Sequence, residues 1–85
     1  MIEPTELEAR IRTGIADVDV VQVEDLTGTK DHFRAVIVSR SFVGLGRIEQ
    51  HRAVYRALGE LMAGPVHALS LQTYTPEAWS RARQG

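Results

Sequence analysis

No cysteine occurs in this 85-residue chain. That excludes a disulfide framework and any self-contained Cys-ligated zinc or iron–sulfur site. Large aromatics are scarce, and Tyr74 and Trp79 near one helix start do not make a base-stacking face. Neither sign of charge dominates: ten basic and eleven acidic side chains leave a net charge of −1, without the basic footprint of a dedicated nucleic-acid binder. No apolar run approaches membrane-spanning length. The N-terminal stretch Met1–Glu8 is acidic and lacks the apolar core of a signal peptide. A soluble, cytoplasmic domain is the expectation. Catalytic signatures are missing too. No Ser sits in a Gly-x-Ser-x-Gly elbow, and Gly44-Leu45-Gly46 lacks the Lys-Ser/Thr of a phosphate loop. A chain this short has little room for a deep cavity, so an enzyme is not expected.

What is present reads as one folded domain over residues 1–85, because 44% apolar and 25% charged content are ordinary globular values. Leu7 and Ile11 fall four apart in a first helix over residues 4–14, extended by Ala9 and Ile15. Either Thr5-x-x-Glu8 is its capping box, or Pro4 is its first residue and Glu3 its cap; Gly14 suits a C-terminal stop. Residues 18–24 alternate as a strand with a phase slip at Val20-Val21, the mark of a bulge or an edge strand. A polar loop over residues 25–31 leads to a second strand, 33–39, apolar on both sides and so central. The short loop makes these two an antiparallel hairpin.

After a Gly-punctuated connection, residues 47–62 show helical periodicity, with a stripe of Ile48, Tyr55, Leu58 and Met62, His51 on it, and Val54 and Leu61 widening it. Gly59 gives either one long helix or two shorter ones. Residues 66–73 form a third strand, and Thr75-Pro76 cap and start a terminal helix anchored by Trp79. The fold class is α/β (α+β): a three-stranded mixed sheet in the order αββα(α)βα.

His32 precedes the second strand and His67 opens the third. A helix joins those strands, which is how parallel strands are connected, so both openings belong at one edge of the sheet. Two imidazoles on one rim are an incomplete metal site, which Asp31 or Asp25 would supplement. The alternative is one surface-loop histidine and one hydrogen-bonded near a strand end. His51, on the apolar stripe, reads as a core-facing residue packed on the sheet rather than a ligand. Arg47, Arg52 and Arg56 lie close in sequence and read by default as a solvated helix face, with partner or nucleic-acid contact as the alternative.

Several segments together resemble the BolA family over nearly the whole chain. They are Asp25-Leu26-Thr27, Phe33-x-Ala35-Val36-Ile37-Val38-Ser39-x-x-Phe42, His51-Arg52-x-Val54-Tyr55-x-x-Leu58 and His67-Ala68-Leu69-Ser70. Thr73-Tyr74-Thr75-Pro76-x-x-Trp79 looks most like the IbaG-type bacterial branch. The resemblance implies a fold similar to the type II KH domain. It also implies a partner, a monothiol glutaredoxin of the Cys-Gly-Phe-Ser type, which with glutathione holds a bridging [2Fe–2S] cluster. His67 matches the family's C-terminal histidine ligand. The second ligand comes from a variable loop of Cys or His type; here it would be His32. Neutral imidazole in place of thiolate raises a cluster's potential, as in Rieske centres, and makes ligation pH-sensitive. The isolated chain, expected to be monomeric, should then hold no cluster tightly. Its expected roles are cluster trafficking or assembly, iron regulation and stress response.

Two departures limit the match. Many members carry Arg-His-Arg where this chain has Gln50-His51-Arg52, and no Gly-x-x-Gly nucleic-acid clamp lies between the helices. DNA binding through the KH-like fold, an activity attributed to some members, is the rival function.

Overall fold

A computed structural model describes residues 2–28, 32–63 and 68–84. Within them the order is α1 (Pro4–Gly14), β1 (Val18–Asp25), β2 (His32–Ser39), a 3-10 turn (Arg40–Phe42), α2 (Arg47–Leu58), a second 3-10 segment (Gly59–Ala63), β3 (Ala68–Tyr74) and α3 (Pro76–Gln84). The sheet order is β1-β2-β3, with β1 and β2 antiparallel and β2 and β3 parallel. The doubly apolar second strand is therefore the central one. The slip read in β1 is a register shift between Val18 and Val20, on a strand that is also an edge.

Alternation along β2 gives the sheet two unlike faces. Phe33, Ala35 and Ile37 pack with Leu7, Ile11 and Ile15 of the α1 side and Val54 and Leu58 of α2. That is the main core. On the other face, Val38 is buried, and its β3 partner Tyr74 meets Trp79 of α3 with ring centroids 5.2 Å apart. Trp79 is thus a packing residue, topped by the Arg83 guanidinium at 5.7 Å. α3 covers one end of this face, and Gln22, Glu24, Arg34 and Gln72 line an open groove on the remainder.

Helix boundaries follow local chemistry. Pro4 lies in the first turn of α1, Glu3 is the cap, and the Glu6 carboxylate accepts the Glu3 N–H at 3.2 Å; the alternative box, Thr5 with Glu8, is not used. Gly14 does not end α1 in a left-handed turn. It is the last helical residue, and a Cβ there would lie 2.6 Å from Ala57 Cβ and 2.8 Å from Ala57 Cα. Glycine is required by the close approach of α1 to α2.

α2 ends at Leu58 rather than running to residue 62, because Gly59 turns the chain with φ +56° and ψ −129°. Its buried stripe also differs from the expected one. Gln50, Val54 and Leu58 face the core, whereas Ile48 is 70% exposed and Tyr55 42% exposed. A glutamine occupies the buried stripe because its Nε2 donates to the Leu45 carbonyl at 2.9 Å, which satisfies the polar head. Leu61 and Met62 still pack against the core from the 3-10 segment.

Candidate functional site

His32 is the first residue of β2, one position inside the strand rather than before it, and it is exposed. Its backbone carbonyl accepts the Leu26 N–H at 2.9 Å, which closes the hairpin. The register pairs His32 with Ala68, the first residue of β3. The parallel crossover thus brings the two strand openings to one edge, as chain order required. His67, which directly precedes Ala68 in the sequence, lies outside the described residues, as does Asp31.

Asp25, offered as a supplementary ligand, has a structural task. Its Oδ1 accepts the backbone N–H groups of Thr27 and Gly28 at 3.2 and 3.0 Å, an Asx-type turn that starts the loop. Gly28 follows with φ +79°. Strand pairing and this turn together set where the loop leaves and re-enters the sheet. Among the described residues, no group of three or more His, Cys, Asp or Glu side chains converges on one point.

His51 is half-buried on α2 and lines an open cleft against β3 with Leu71 and Thr73, so it lies beside the sheet but does not face the core, which Gln50, Val54 and Leu58 do instead. The three arginines are all exposed but do not share one face. Arg47 lines the β3 side of α2, while Arg56 lines the α1 side with Gly14 and Ala57. Arg52 and Arg56, four apart, are neighbours on the helix; Arg47 is not part of their pair. Gln50 reads differently in the fold than as a missing surface arginine, since this position faces inward.

An exposed apolar set escaped the sequence reading. Val43, Leu45 and Ile48 lie at the surface around the start of α2, and Tyr55 is exposed in its last turn. The signal available was the apolar Val43 and Leu45 in the Gly-punctuated connection ahead of the helix.

Comparison with known proteins gives a consistent result. The family model described as BolA-like protein matches residues 3–78. The human BolA-like protein 1 is 38% identical over 88 residues, covering 92% of this chain and 64% of the relative. The Escherichia coli relatives are of two kinds. Its DNA-binding transcriptional regulator BolA is 42% identical over 52 residues, covering 61% of this chain and 50% of the relative. Its acid stress protein IbaG is 34% identical over 65 residues, covering 75% and 77%. The chain thus spans less than two thirds of the human relative's length. Among solved structures, a BolA homologue from Coxiella burnetii superposes with a TM-score of 0.82 at 37% identity, covering 95% of this chain and 100% of that one. Yeast Fra2 superposes with a TM-score of 0.76 at 34% identity, covering 94% and 86%.

Proposed function

This chain belongs to the BolA-like protein family, and from that premise we propose that it is a non-enzymatic partner of a monothiol glutaredoxin, co-ligating a bridging [2Fe–2S] cluster through His32 and His67. The observation that supports this reading is the pairing of His32 with Ala68, which puts the residue after His67 beside the exposed imidazole-bearing position. The donor set fits half of such a site. Imidazole supplies nitrogen, and a chain without cysteine supplies no thiolate, so sulfur ligands come from glutaredoxin and glutathione. When bound, the cluster supplies one-electron redox chemistry at a potential raised by nitrogen ligation. The chain's own part is to present the His32 imidazole from a strand paired on both sides, with His67 as the second donor; each must be neutral to bind iron. That arrangement suits trafficking, assembly or iron regulation.

Reconstitution with iron, sulfide, glutathione and a monothiol glutaredoxin tests it. The visible absorption and circular dichroism should differ from those of the glutaredoxin homodimer. An unchanged spectrum contradicts the partnership. A changed spectrum that survives both His32→Ala and His67→Ala keeps the partner and discards these ligands.

A second reading is DNA binding, supported by the exposed Arg52–Arg56 pair and by the printed role of the Escherichia coli regulator. If it holds, affinity falls steeply with salt, and Arg52→Ala or Arg56→Ala lowers the slope of log K against log salt by about one. Affinity without salt dependence contradicts it.

A further inference from the structure

The two edges of the sheet are built differently. β1, at one edge, carries Asp19, Glu24 and Asp25 and a register shift between Val18 and Val20. Charged side chains and bulges are the devices that keep an edge strand from pairing with another chain. β3, at the other edge, has neither. Its seven residues, Ala68-Leu69-Ser70-Leu71-Gln72-Thr73-Tyr74, include no charge, no proline and no glycine. Its pairing with β2 keeps one register from Ala68 to Tyr74.

Beyond that pairing, the β3 backbone makes no hydrogen bond to another segment among the described residues. A strand bonded on one side only turns about half of its N–H and C=O groups outward, a template for a further strand. α2 does not close this edge, because a cleft of about 300 Å³ separates Arg47 and His51 from residues 71–74. Ser70 and Gln72 are exposed, while Leu69 and Leu71 lie on the core side.

We propose that β3 docks a second copy of this chain, antiparallel about a two-fold axis at Leu71, merging two three-stranded sheets into one. That is the register in which all seven residues pair, and in it the strand is complementary to itself. Leu71 lies opposite Leu71 of the second copy, Leu69 opposite Thr73, Ser70 opposite Gln72 and Ala68 opposite Tyr74. No like charges are opposed, an aliphatic pair occupies the axis, and hydroxyl and amide flank it on the open face. The contact uses one patch on both copies and closes at two chains, since the opposite edge is guarded. It departs from the monomer expected of the sequence, and it rests on the strand edge alone, not on the cluster-binding reading.

Sedimentation velocity of the full chain, from micromolar to near-millimolar concentration, tests the proposal. The mass should rise from one chain toward two and no further. Ser70→Lys combined with Gln72→Lys sets like charges opposite one another across the axis and should weaken the dimer by about tenfold or more. Ser70→Glu combined with Gln72→Lys sets opposite charges there and should recover the parent's dissociation constant to within about threefold. Both positions are exposed, and far-UV circular dichroism checks that each variant keeps the fold. The concentration series of the parent stands even if a variant fails to fold. A single-chain mass at every concentration overturns the proposal, as does growth beyond two chains. A dimer that survives the double lysine variant, or that the Glu/Lys variant does not recover, overturns it equally.

Discussion

His32 and Phe33 are neighbours in the chain and serve opposite ends. Phe33 is fully buried on the face that α1 and α2 cover, while His32 is exposed at the start of the same strand. The contrast extends along β2. Phe33, Ala35 and Ile37 join the main core, whereas Arg34 pairs with Glu24 over an open groove. One face carries the main core, while the other is packed by α3 at one end and open along the groove lined by Gln22, Glu24, Arg34 and Gln72. The two-residue period of a single strand thereby separates a closely packed face from a largely open one.

Substitutions on each face measure that division. Phe33→Ala should have the largest effect, costing about 3–5 kcal/mol of a total that is roughly 5–15 kcal/mol for a small domain. A urea unfolding curve reads it as a large drop in midpoint. Gly14→Ala should follow at about 1–3 kcal/mol, since the new Cβ meets Ala57 main chain and the two helices must separate. Thermal melting with unchanged far-UV circular dichroism checks it. A stabilising result would mean that helix propensity outweighs the close approach. Glu24→Ala, which removes an ion pair whose side chains are about half exposed or more, should cost less than about 1 kcal/mol. His32→Ala should change the unfolding midpoint least, by about 0.5 kcal/mol or less, and yet alter the spectrum of the reconstituted complex. If Glu24→Ala or His32→Ala destabilised as much as Phe33→Ala, the two faces would not be divided in this way.

Much of this arrangement was legible in the sequence because it depends on local rules. The both-sided apolar pattern of residues 33–39 put β2 in the centre, and a helical crossover required β3 to run parallel to it. Gly59 was readable as a break. Other features depend on tertiary contacts that no periodicity contains. The phase of α2 was misread because Gln50 is buried through a bond to the Leu45 carbonyl, while Ile48 faces solvent. Gly14 looked like a helix stop, and only the crossing of α1 and α2 reveals that its missing Cβ makes room for Ala57. The arginines looked like a group by sequence distance, yet Arg47 and Arg56 line opposite sides of one helix. Of the candidate rim site, chain order located the strand openings, and the register adds that His32 lies opposite the residue after His67.

The most direct measurement labels the histidines of this chain with nitrogen-15 and assembles it with unlabelled glutaredoxin, glutathione, iron and sulfide. Pulsed electron paramagnetic resonance of the reduced cluster then reports which nuclei couple to iron. Co-ligation by this chain predicts nitrogen-15 hyperfine coupling that weakens in His32→Ala and in His67→Ala. A reduced cluster that shows no nitrogen-15 coupling would contradict it.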